Sequence, residues 1–190
     1  MLGLLVGCGD DSEAGPAAGE ASPDQRAEQE IPDGPALGVP RRPGPPPEVT
    51  DGIPHIQRSD NASAGLQRAL GDWVFGLEGV VEAPSQASLP GARGLTVSSE
   101  LTPRPEAIIA GREFAHIHPG GSLHLTLPMS QAEQVVAQGW GEWHPFAISG
   151  SLPGLVMVYA PRSRDDLNSV QTIIEASVDF SSTGGAQEAQ

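Results

Sequence analysis

Two alternating runs, Phe114 to His118 and Ser122 to Leu127, flank Pro119-Gly120-Gly121. A three-residue loop with glycine free to take positive φ is a common hairpin connection, so this stretch predicts two antiparallel strands. The loop length sets the register, with His118 opposite Ser122 and His116 opposite His124. Side chains alternate between faces along a strand, so Ala115, Ile117, Leu123, Leu125 and Leu127 share one face. His116, His118, Ser122, His124 and Thr126 share the other. A two-residue loop would put Leu123 beside the histidines and spoil both patterns. The hairpin therefore calls for a sheet with one apolar face and one polar face on which three imidazoles converge.

The neighbouring sequence supplies partners for such a sheet. Leu66, Leu70, Trp73, Val74 and Leu77 lie on one helical stripe between Ala64 and Leu77, with Gly79 just beyond it. Short strands are expected at Val80-Val81, Leu95 to Val97 and Ile108-Ile109, punctuated by Pro84, Pro90-Gly91, Pro103 and Pro105. Ser130-Gln131-Ala132-Glu133 reads as a capping box opening a short helix that Gly139 closes. Gly139 to Pro145 reads as an aromatic loop. Leu155 to Ala160 is almost continuously apolar, as expected of an interior strand ended by Pro161. Ser163-Arg164-Asp165-Asp166 starts a last helix through Leu167, Val170, Ile173, Ile174 and Val178, fraying from Ser181. The expected fold is α+β: one domain over 53–182, a mainly antiparallel sheet with about three helices packed on it, and a disordered tail over 183–190.

Composition separates this domain from what precedes it. From Gly9 to Asp51 ten acidic residues face only Arg26, Arg41 and Arg42, with no aromatic residue and with Pro45-Pro46-Pro47 near the end. Such a segment buries too little apolar surface to offset its ordering entropy, and 9–52 reads as a disordered acidic, Pro-rich linker. It carries seven of the chain's fourteen excess negative charges. An acidic chain with no lysine and scattered arginines has no footprint for nucleic acid. Lacking lysine, it also cannot form a Schiff base or a P-loop of the usual kind. No G-x-S-x-G marks a nucleophile elbow.

Leu5-Val6-Gly7-Cys8 resembles a bacterial lipobox, and Cys8 is the single cysteine. Residues 1–8 read as the end of a lipoprotein signal whose true start lies upstream. Lipidation of Cys8 would anchor the protein to a bacterial membrane, on its periplasmic or extracellular side, without spanning it.

Five short motifs occur in order: Ala115-His116-Ile117-His118, Leu123-His124-Leu125, Gly139-Trp140 with His144-Pro145, Tyr159-Ala160-Pro161-Arg162, and Glu175-Ala176-Ser177. Each alone is weak, but the ordered set resembles the luciferase domain family of fungal bioluminescence. The resemblance implies an oxidoreductase that adds molecular oxygen, as co-substrate, to a hydroxylated pyrone without a dissociable redox cofactor. The fungal enzymes have a longer, more polar connection where this chain has Pro119-Gly120-Gly121.

In that setting His116, His118, His124, His144 and Arg162 are the candidate catalytic residues. A histidine titrating near neutral pH can deprotonate an acidic enol or phenol, and Arg162 would hold the resulting anion or a peroxide. Trp140 and Trp143 would stack on a flat substrate, with Ser122 and Thr126 on the same polar face. Any one of these histidines reads as readily as a hydrogen-bonded structural residue, and Trp140, Trp143 and Tyr159 read equally as core. Glu113 and Glu175 are possible acid/base partners, although Glu175 lies toward the solvated flank of its helix. His55, at the linker boundary, carries no assignment.

Two other chemistries fit the same residues. One is capture of a small molecule without turnover. The other is a metal ion on His116, His118 and His124. The H-x-H start resembles that of cupins, but Pro119 to Leu123 occupy the stretch where a cupin's acidic ligand belongs.

Overall fold

The computed structural model describes residues 36–183. The lipobox-like run with Cys8, the first part of the linker and most of the C-terminal tail lie outside the described residues. The elements in chain order are α1 (Ala64–Val74), β1 (Val80–Pro84), β2 (Arg93–Val97), β3 (Thr102–Pro103), β4 (Glu113–Ile117), β5 (Leu123–Thr126), α2 (Met129–Ala137), β6 (Gly141–Trp143), α3 (Pro145–Ile148), β7 (Leu155–Val158), α4 (Arg164–Ser181) and β8 (Ser182–Thr183). Six strands form one antiparallel sheet in the order β1-β2-β4-β5-β7-β6, and β3 pairs with β8 beside it.

The hairpin takes the expected register. His116 stands opposite His124 and Ile117 opposite Leu123, while His118 N donates to Ser122 O at 2.8 Å. Gly121 closes the loop at φ 91°, a conformation L side chains rarely adopt. Ala115, Ile117, Leu123, Leu125 and Leu127 lie in one hydrophobic core with Leu70 and Val74 of α1, Val135 of α2, and Leu167, Val170, Ile173 and Ile174 of α4. α1, α2 and α4 cover one face of the sheet, and the histidines occupy the other.

Helix ends follow local chemistry. Ser63 caps α1 by accepting from Leu66 N, and Ser163 caps α4 by accepting from Asp166 N at 3.0 Å. α1 stops at Val74 rather than Leu77 because Gly76 and Leu77 close a tighter turn onto Trp73 O and Val74 O. α2 begins before the expected capping box: Pro128 is its N-cap, with no side-chain acceptor, and Ser130 falls inside the first turn. Gly139, at φ 76°, ends that helix as expected.

Three expectations are corrected. Ile108-Ile109 is not a strand: Pro105–Ala107 form a single 3₁₀ turn, and Ile109 N then donates to Glu113 O in the reversal into β4, leaving no free edge to pair. The aromatic loop is strand β6 followed by α3. A Cβ at Gly141 would collide with the Met157 carbonyl, so glycine is what lets β6 approach β7. β7 is consequently interior, as its apolar run requires.

The third correction concerns 36–52, which are not free linker. Leu37 is 7% exposed and lies in the core, its N–H donating to Gln134 Oε1. Arg42 N donates to Gln138 O, and Trp140 Nε1 donates to Pro40 O at 2.6 Å. Proline restricts this chain before it docks, so little entropy is lost on ordering and a few anchors hold it. It continues as a strap across the sheet end, where Ala160 N donates to Gln57 Oε1. No helix among the described residues is long and apolar enough to cross a membrane.

Candidate functional site

Across the polar face the registers align Gly94, His116, His124, Met157 and Glu142 in one row over five strands. Strict alternation would send Glu113, three residues before His116, to the opposite face. The pairing slips between Leu95 and Thr96, where β4 spends an extra residue. This bulge directs Phe114 and Ala115 both into the core and returns Glu113 to the histidine face. Gly94 leaves the room: a Cβ there would lie 3.2 Å from Glu113 Oε2.

Glu113, fully buried, accepts from Ser85 Oγ and Gln86 N, both at 2.7 Å, and contacts His116 Nδ1 at 2.8 Å. Burial alone would raise its pKa; the hydrogen bonds from His116, Gln86 and Ser85 outweigh that and hold it below the ordinary value. An ionised Glu113 makes His116 Nδ1 the donor. In the neutral ring His116 Nε2 is then an acceptor, so His124 Nδ1, 3.0 Å away, donates to it. The chain ends at His124 Nε2, which is buried and has no hydrogen-bond partner.

A second carboxylate orients another ring. Glu142 accepts from Tyr159 Oη at 2.8 Å and meets His55 Nε2 at 2.9 Å, and these contacts keep its pKa low despite burial. Burial, then the bond to Glu142, raises the Tyr159 pKa, so its phenol keeps its proton. His55 Nδ1 is the second buried ring nitrogen without a partner. His144, the N-cap of α3, accepts from Phe146 N through Nδ1, so its neutral ring carries the proton on Nε2. His118 Nδ1 pairs with Ser122 Oγ at 3.0 Å.

All five histidines of the chain thus meet, none more than 6% exposed. His124 is central, with ring centroids 4.5 Å from His144, 4.6 Å from His118, 5.0 Å from His116 and 5.3 Å from His55. Burial, reinforced by neighbouring imidazoles, lowers the pKa of His118 and of His144 to about 4 and holds His124 well below its ordinary value. These rings are neutral at neutral pH. They face a cavity of about 350 Å³ whose other walls include Ile56, Leu89, Ile109 and Leu155. Ile53 and Phe146, exposed though apolar, form its rim.

The four expected site histidines are therefore brought together, but other expected residues stand apart. Arg162 binds Asp166 Oδ2 through Nε at 2.9 Å and Pro43 O through Nη2; beyond Pro161 it lies just before the Ser163 N-cap of α4 and is not among the residues lining the cavity. Trp140 is core, Trp143 lines a neighbouring hollow with Tyr159, and Thr126 spends its hydroxyl on Ala107 O. Ser122 reaches the site only through His118. Glu175 is exposed. His116, His118 and His124, the metal set considered from sequence, offer nitrogens within 4.8 Å of one another, as do His55, His124 and His144. Sequence reasoning missed His55 and Glu142. The signal for His55 was Ile53 and Ile56 around it, apolar residues ending a polar stretch.

Residues 111–177 match the family model described as the luciferase domain. The luciferase of Armillaria ostoyae is 43% identical over 75 residues, covering 36% of this chain and 28% of that protein. Those of Armillaria gallica and Neonothopanus nambi are 41% and 37% identical over the same length and shares. The chain thus spans under a third of the curated relatives it matches. No solved structure matches. The stretch 111–177 that matches the luciferase domain model holds Glu113, His116, His118, His124, Glu142 and His144.

Proposed function

We propose that the histidine cavity is the active site of an oxygenase-like enzyme that starts its reaction by deprotonating a small, planar, acidic molecule of the pyrone or phenol type. The observation that carries this reading is the Glu113–His116–His124 chain ending in an unpartnered Nε2 at an apolar-walled cavity. His124 Nε2 takes the proton of a substrate O–H, and the electron pair of that bond stays on the substrate oxygen as an enolate or phenolate. His124 alone is a weak base, but its Nδ1–H can pass to His116 Nε2. The positive charge then rests beside the Glu113 carboxylate, where it is neutralised. His144, on the cavity wall, would donate its Nε2–H to the developing oxyanion. The anion's electron-rich carbon is the site at which dioxygen, the co-substrate, would form its bond: the carbon is oxidised, the O–O double bond is reduced to a single bond, and the outer oxygen carries the charge as a peroxide anion.

The lipobox-like run supports placing this domain on a bacterial membrane through a lipid on Cys8; Cys8→Ala should move the protein from the membrane to the soluble fraction. The catalytic reading is tested by oxygen uptake with a panel of hydroxypyrones and phenols. Uptake that disappears in His124→Ala, with thermal unfolding little changed, is the expected result. Saturable binding with no uptake by the native protein would instead support a noncatalytic ligand-capturing domain.

A further inference from the structure

The strap brings a third element to the cavity, and its histidine has no role in the proton path. His55 Nδ1 and His124 Nε2 are the two imidazole nitrogens that are buried and unpartnered among the described residues. Their residues belong to the group His55, His124 and His144, each of which offers one ring nitrogen within 4.8 Å of those of the other two. We infer that His55, His124 and His144 form a binding site for one divalent transition-metal ion of the zinc class.

The protonation states favour it. Ionised Glu142 fixes the His55 proton on Nε2 and leaves a lone pair on Nδ1, and the Glu113–His116 chain does the same for His124 Nε2. Both rings therefore present bare lone pairs from the side opposite a carboxylate-anchored support, the arrangement that holds histidine ligands to a metal. Neutral imidazoles suit zinc, copper, nickel and iron. Ligand nitrogens around a tetrahedral ion stand about 3.3 Å apart, so the group must contract. Movement of the strap bearing His55 would supply that. His144 is the weakest of the three, because ligation through Nε2 requires its Nδ1 to give up the bond from Phe146 N.

The alternative group His116, His118 and His124 is less fit: His116 Nε2 and His124 Nδ1 are spent on each other, and His118 Nδ1 on Ser122. Ion binding does not depend on the base-catalysed reading. Where both hold, the ion occupies the lone pair that receives the substrate proton, and saturating zinc stops turnover.

The test is titration of the chelator-stripped full chain with zinc in competition with a chromophoric chelator, and with cobalt(II) followed by its visible spectrum. One ion per chain and an intense tetrahedral cobalt spectrum are expected. Loss of a ligand in His55→Ala should weaken zinc by at least about 100-fold, and Glu142→Gln, which keeps the ring but not its anchor, by roughly 10-fold. His118→Ala should weaken zinc far less than His55→Ala does. Absence of stoichiometric binding to the native chain overturns the inference whatever the variants do. Affinity lost in His118→Ala but kept in His55→Ala overturns it in favour of the other group. Because binding is read without substrate, its failure is distinct from failure of oxygen uptake.

Discussion

The two carboxylate–histidine pairs at this site are built in opposite ways. Glu113 and His116 are three residues apart on one strand, and His124 follows across a tight hairpin. His55 and Glu142 are separated by 87 residues and meet only because the strap docks on the edge strand β6. The first pair is fixed by the sheet ladder itself. The second depends on bonds such as Trp140 to Pro40 and Arg42 to Gln138, which tie an irregular segment to the domain. Chemistry that needs a permanent geometry belongs on the hairpin; adjustable contacts belong on the strap.

This contrast can be broken most decisively at His124, where both halves converge. His124→Ala should lower kcat by about 10²–10⁴-fold, the usual worth of a general base, in an oxygen-uptake assay. Equal activity would mean that the hairpin half does no chemistry.

Acid should act on the whole cluster. With pKa values of about 4 in the fold, His118 and His144 stay neutral where the unfolded chain already binds protons. Each therefore contributes stability that is present above pH ~6.5 and is lost as pH falls through about 4, up to about 3 kcal/mol per ring. Urea unfolding from pH 7 to pH 4 should show the decline, and His118→Gln or His144→Gln should each flatten it. A decline unchanged in both variants would place the acid sensitivity elsewhere.

Glu113→Gln sharpens the hairpin side further. The amide keeps the shape but cannot neutralise a proton delivered to His116, so kcat should fall by roughly 10- to 100-fold with KM little altered. A KM effect alone would make Glu113 a structural support. The smallest effect is expected on the strap: Trp140→Phe removes the bond to Pro40 O and should cost about 1 kcal/mol, measured by denaturant unfolding. Hydrogen exchange should rise first over 36–57. Faster exchange on the hairpin instead would erase the distinction between the two halves.

What could be read beforehand follows the same division. Hairpin register, the two faces and the caps at Ser63 and Ser163 depend on residues a few positions apart, so alternation and turn length reveal them. The bulge at Phe114 was hidden because it exists only against the partner strand β2, and without it Glu113 faces the wrong way. Arg162 was misplaced because Asp166, one helical turn on, captures it more cheaply than a cavity across the strand end could. The Pro-rich stretch was misread because composition reports what a segment can bury by itself, whereas Leu37 is buried by α2 and α4 residues it meets in space. β6 is only three residues long and has no period to detect.

The strap also sets how a load enters the domain. A pull arriving along the chain from the side of residue 35 meets Leu37, then the Pro40 and Arg42 attachments, before it reaches His55. Those contacts act as a strain relief, as a clamp does where a cable enters a housing. Tension on the N-terminal side is taken up at α2 and the start of β6, and the wall of the cavity stays slack.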